Sequence, residues 1–176
     1  MKAAKIIGVA LLSLCALVVA QRRKDPLTAS EIDQLRDTAV EPEQRMKLYV
    51  QFARTRLVAL EQMRSDPKVT DRARQTHQML EDFLAVYDEL NDNLDNFESR
   101  RADLRKALKV VTEADTEFQA KLRALKNDAR ASREEGNEYQ FVLSNAIDSV
   151  DSNADDHRKM LAEQEELWKH RKKSKS

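Results

Sequence analysis

The sequence is poor in the residues that bend or break a chain: two glycines and three prolines in 176 residues. A turn-rich all-β fold draws on glycine and proline at every reversal, so this scarcity argues against that class. The same scarcity excludes a glycine-rich phosphate cradle and the tight elbow that exposes a nucleophilic serine. Cys15 is the single cysteine. No disulfide framework and no Cys-x-x-Cys-His haem attachment can be built from it. Charge of one sign is also missing. Thirty-one basic residues face 31 acidic ones, which removes the global field expected of a nucleic-acid binder.

What is present is charge in quantity, 35% of residues, with few aromatics, 5%. Ala, Leu, Glu, Lys, Arg and Gln dominate, the composition of long helices with solvated faces. The length suits one domain. The expected fold is all-α: an elongated antiparallel bundle, coiled-coil-like, of about four long helices plus a short N-terminal one.

Residues 1–20 read as a signal peptide. Lys2 and Lys5 precede an uncharged run from Ile6 to Ala20, and Val18-Val19-Ala20 presents small or β-branched residues before Gln21. Fifteen apolar residues fall short of the roughly 20 needed to span a bilayer and match a signal-peptide core. The alternative is an uncleaved anchor, because Arg22, Arg23 and Lys24 follow directly and positive charge there resists translocation. Leu14 is too large to precede a lipidated Cys15. The expectation is therefore an exported protein, periplasmic or secreted, with a mature domain over 21–168 and a basic tail over 169–176.

Thr28 followed by Glu31 forms a capping box, opening a short helix over about 29–39. Pro42 suits the first turn of a second helix, which ends near Ser65-Asp66-Pro67 with Met46, Tyr49, Phe52, Ala53, Leu57, Leu60 and Met63 on one face. From Lys68 to Glu135 there is neither Gly nor Pro. A heptad seam runs through it from Leu80, Phe83, Tyr87 and Leu90 to Leu108, Val111, Phe118 and Leu122. Arg101 and Asp115 are the two polar residues on that seam. They lie two heptads apart, so each needs a partner from another helix or an outlet to solvent. One helix over 70–132 would be about 90 Å long. Poor helix formers at 91–96 and a capping Ser99 favour two helices, and the unbroken heptad phase favours one. Glu135-Gly136-Asn137 reads as a turn. A last helix follows over about 138–170, with Tyr139, Val142, Leu143, Ala146, Ile147, Val150, Ala154, Leu161 and Trp168 inward, and its polar middle, 151–157, as its weakest part.

No catalytic, cofactor or metal site is expected. None of the three histidines has a carboxylate three residues earlier; Arg74, Ala154 and Leu167 hold those positions, so the di-iron Glu-x-x-His pattern is missing. Asp151, Asn153 and Asp155 copy the start of a calcium loop, but Asp156 stands where its glycine belongs and Ala162 where its glutamate belongs. His157, on the inner face, and His77 read as hydrogen-bonded structural histidines, with metal ligand or pH sensor as the alternative. Trp168, beside the basic tail, reads equally as a membrane-interface residue and as a bundle-end cap. Leu27-Thr28-Ala29-Ser30-Glu31 resembles the Leu-Thr-x-x-Gln signature of small periplasmic chaperones of the Spy type, over five residues and with Glu for Gln.

The functional expectation is a non-enzymatic structural or adaptor protein of the cell envelope, acting through helix–helix contacts with a protein partner or with itself. The alternatives are a Spy-like chaperone, which that resemblance implies, and a metal-binding sensor. Charge is segregated along the chain: residues 21–176 carry −2, and the body without 22–24 and 169–176 carries −10. Lys169, Arg171, Lys172, Lys173 and Lys175 could therefore dock an anionic envelope surface while the body is repelled. The alternative is a tail that only keeps the chain soluble.

Overall fold

A computed structural model describes residues 25–131 and 133–173; the signal-segment reading and the end of the tail lie outside the described residues. The chain forms α1 (Ala29–Arg36), α2 (Pro42–Ser65), α3 (Arg72–Ser99), α4 (Arg105–Ala131) and α5 (Arg133–Lys173). No strand occurs among the described residues. The all-α bundle with a short first helix is as expected.

The capping box starts α1: the Glu31 amide donates to Thr28 Oγ1 at 3.3 Å, and the Thr28 amide donates to Glu31 Oε2 at 2.8 Å. The helix stops at Arg36, short of Ala39. The Leu35 carbonyl instead accepts the Thr38 amide and hydroxyl and the Arg45 guanidinium. Orphan acceptors at a helix end are thus met from outside the helix. Pro42 sits in the first turn of α2, where its missing amide costs nothing.

The question of one helix or two over 70–132 resolves into two. Helix α3 ends in a Schellman motif, with the Ala102 amide on the Phe97 carbonyl and the Arg101 amide on the Glu98 carbonyl. Arg101 takes φ 58°, the left-handed position where glycine is usual. Ala102 packs against the core beside Phe97, supplying the apolar contact that accompanies this cap. Asp103, not Ser99, accepts the first amide of α4, from Arg105 at 3.2 Å. Arg101 therefore leaves the seam for an exposed loop.

Two αα-hairpins, α2–α3 and α4–α5, pack together. Helix α2 lies beside α3 and α4, and α5 beside α3 and α4, so α3 and α4 face each other across the diagonal. Neighbours from different hairpins run parallel. Arg54 meets Glu117 and Glu61 meets Lys121 along α2/α4, while His77 meets Glu138 and Asn91 meets His157 along α3/α5. The centre is continuous, with Phe83 and Tyr87 stacked and Phe118 edge-on to both. The expected core residues Leu80, Leu90, Leu104, Leu108, Val111 and Leu122 are all buried; Leu161 is half-buried against them.

The turn expected at 135–137 is not there. Helix α4 ends at Ala131 and α5 already runs from Arg133, placing Gly136 inside the first turns of α5. Its role is close approach: a Cβ at 136 would sit 2.7 Å from the Ala129 carbonyl oxygen. Glycine here lets the two helices nearly touch at the mouth of the hairpin. The polar middle of α5 is likewise regular helix, with Ala154 and His157 buried, and α5 continues past His170 to Lys173.

Candidate functional site

Three places concentrate chemistry. The first lies inside the bundle. Asp115 and Tyr87 are fully buried and His157 is 4% exposed. Tyr87 donates to Asp115 Oδ1 at 2.8 Å, and the His157 ring meets Asp115 Oδ2 through Nδ1 at 2.8 Å and Asn91 Oδ1 through Nε2 at 3.1 Å. Three helices thus converge on one carboxylate. Burial, followed by the neighbouring Asp115 carboxylate, pushes the Tyr87 hydroxyl well above its ordinary range, so it stays a donor. A carboxylate orienting a histidine is half of a hydrolytic triad. Here the outer ring nitrogen is occupied by Asn91 and meets no nucleophile, and the surroundings are packed aromatic rings. The arrangement ties α3, α4 and α5 together through one buried carboxylate.

The second hydrogen-bonded cluster ties α1 and α2 to α3. Arg45 donates to Asn93 Oδ1 at 2.6 Å, and Asn93 donates to the Tyr49 hydroxyl at 3.0 Å. Asn91 and Asn93, which looked like a weak point of α3, are there because helices across the bundle need their amides. Nearby, Arg56 clasps Glu31 with bonds of 2.5 and 2.7 Å and also reaches the Pro26 carbonyl. Arg56 holds the Glu31 carboxyl below its ordinary value despite opposing burial.

The third place is on the surface. A groove between α3 and α5 is lined by carboxylates of α3, with Glu81, Asp88 and Asp92 on one stripe, Asp82 and Glu89 beside it, and Asp25 at its edge. Among the described residues no lysine or arginine lines it, while Arg56 and Arg45 stand close enough to act on Asp82 and Glu89. In it stands Phe141, 86% exposed, the most exposed large apolar side chain among the described residues. Burial first, then the charges of Asp92, Asp25 and Asp88, raise the Glu89 carboxyl. Arg45, from α2, opposes them. No sequence signal picked out Phe141, because it falls off the apolar stripe of α5 and only the packing of α3 shows what surrounds it.

At the far end of α5, Trp168 is 44% exposed, so it does not lie inward as expected. One face of its ring takes the Arg105 guanidinium at 4.4 Å, which makes it a cap on the first turn of α4. Leu167 beside it is 56% exposed. Lys169 bonds Glu166 at 2.6 Å, and α5 carries Lys169 to Lys173 as helix beyond this cap.

His77 is hydrogen-bonded through Nδ1 to the Glu138 carbonyl at 3.1 Å and lies 3.4 Å from Glu81. Neither histidine gathers further ligands: among the described residues, no group of three or more His, Cys, Asp or Glu side chains is placed to hold a metal ion. No described helix is long and apolar enough to cross a membrane. Comparison with family models, with curated proteins and with solved structures finds no match.

Proposed function

We propose that the chain is a non-enzymatic structural or adaptor protein of the cell envelope, working through the outer faces of its helices. One observation carries the reading: the bundle buries its own seam and ties Tyr87, Asp115 and His157 together inside, yet leaves Phe141 exposed in the α3/α5 groove. An exposed aromatic within a rim of charge is the usual anatomy of a contact surface. The inner histidine–carboxylate pair is a structural clasp, so the interior adds no competing chemistry. Export rests on the N-terminal sequence, where a basic start and fifteen apolar residues form a signal-peptide pattern.

A photo-crosslinking residue at position 141, in the protein expressed in its own cells, tests the reading. Discrete crosslinked products in the envelope fraction are expected. Products absent at 141, or appearing equally at an unrelated exposed position such as Thr55, would overturn it.

A further inference from the structure

We infer that the outward face of α5 around Phe141 pairs with the same face of a second copy of this chain, in a closed two-fold dimer; this rests on the contact-surface reading of Phe141. The first observation is where charge is missing. Charged residues make up 35% of the chain, yet residues 139–147 carry none, the longest uncharged run anywhere from residue 22 onward. Tyr139, Val142, Leu143, Ala146 and Ile147 of that run are buried in the bundle. At about 100° per residue, Phe141 stands on the side of α5 opposite to them, and its ring is 86% exposed. Asn137, Ser144 and Asn145, at i−4, i+3 and i+4, share its face. Both asparagines are exposed and Ser144 is half-buried.

The chemistry of this face decides what it can meet. An aromatic ring in surroundings depleted of charge has the composition of an interface core. Around a two-fold axis each residue lies opposite its own copy. A carboxylate or an ammonium group in that position repels itself. A phenyl ring stacks on another ring, and an amide or hydroxyl both donates and accepts, so it can bond its own copy. Asn137, Phe141, Ser144 and Asn145 are all of this self-complementary kind. A nucleic acid or an anionic membrane calls instead for cations, and α5 has no lysine or arginine between Arg133 and Arg158.

The patch from Asn137 to Asn145 covers about 12 Å of helix, so the contact is small and the dimer weak. Glu138 and Asp148 border it on α5, and both are acidic and exposed. They repel across the pair, and salt screens that repulsion.

Sedimentation velocity on purified protein spanning 21–176, which carries every described helix and, lacking Cys15, no cysteine, tests this. The wild type is expected to associate with rising concentration, and added salt should leave the pairing intact or tighten it. Phe141→Glu and Phe141→Lys should each weaken pairing by roughly tenfold or more, with unchanged helical circular dichroism. Mixing the two should restore a one-to-one complex, because position 141 meets itself across the axis. Under mild oxidation Phe141→Cys should form disulfide-linked dimers far faster than Thr55→Cys, which is exposed on α2. A wild type that stays monomeric at every concentration and salt would overturn the inference, as would pairing that salt dissolves, a Glu and Lys mixture that does not pair, or equal crosslinking at 141 and 55. If the protein is monomeric in solution while position 141 still crosslinks to a different protein in cells, the second-copy partner is wrong and the contact-surface reading stands. If neither occurs, both fail.

Discussion

Helix α3 presents carboxylates and amides to two places, and the two behave oppositely. Inside, Tyr87 and Asn91 of α3 meet Asp115 of α4 and His157 of α5, and each polar group has a partner within 3.1 Å. Outside, one or two residues away on the same helix, Asp88, Glu89 and Asp92 line the groove at whose other end Phe141 stands. The inner cluster uses polarity to fix which helix goes where. The outer one lies at the surface, where burial and then the charges of Asp92 and Asp25 raise the Glu89 carboxyl while Arg45 opposes them. Under the contact-surface reading proposed above, the exposed ring of Phe141 is where a partner would meet the protein.

The sharpest way to break the comparison is Asp115→Ala. It strips Tyr87 and His157 of a shared acceptor in a closed interior, and such a loss costs about 3–5 kcal/mol. Denaturant unfolding should show it as a lower midpoint with an unchanged slope. Replacing the cluster as a whole, with Tyr87→Phe, Asp115→Leu and His157→Leu together, should recover most of that loss. Failure to recover would mean that the cluster stabilises the bundle and does more than align it.

Glu31 and Arg56 give a smaller, pH-dependent effect. The clasp lowers the Glu31 carboxyl, so its contribution is present above the ordinary carboxylate value of 4.5 and is lost as pH falls through the lower folded value. Glu31→Gln should cost roughly 1.5–3 kcal/mol at neutral pH, the range for a hydrogen bond to a charged group. It should also flatten the decline of stability with acid below that value. An acid limb identical to the wild type would show that Glu31 is not clasped in solution.

Much of this contrast was legible in the sequence, and the parts that were not share a cause. The capping box, the Pro42 start, the apolar face of α2 and the seam from Leu80 to Leu122 follow from periodicity and local chemistry, which the chain carries in its own order. Arg101 and Asp115 stood out as the two seam residues needing an explanation, and they received different ones, a loop and a buried clasp. The sequence could not pair Asp115 with His157, because the pair spans 42 positions and depends on how two hairpins stack. Asn91 and Asn93 suggested a break because intrinsic propensity sees only the local helix; their partners are on other helices. Gly136 suggested a turn, whereas the structure uses its missing side chain against Ala129.

Arg101 offers a gain instead of a loss. Its left-handed backbone, φ 58°, costs an L-residue about 1–2 kcal/mol. Part of that is regained in Arg101→Gly and part is offset by the greater freedom of glycine in the unfolded chain. A net stabilisation of about 0.5–1 kcal/mol is expected in thermal or denaturant unfolding. A loss of stability would show that the Arg101 side chain holds the α3–α4 loop.

The smallest effect is the one that most sharpens the comparison. Phe141 is 86% exposed, so Phe141→Ser removes almost no buried area, and stability should move by less than about 0.5 kcal/mol. The buried Val142, next along α5, belongs to the core. Val142→Ser should cost clearly more, because it puts a hydroxyl where a β-branched apolar side chain packs. The two adjacent substitutions, measured by the same denaturant titration, separate a residue kept for the fold from one kept for contact. If Phe141→Ser destabilised the monomer as much as Val142→Ser, the ring would be packed in solution, and the groove would belong to the core instead of to the surface.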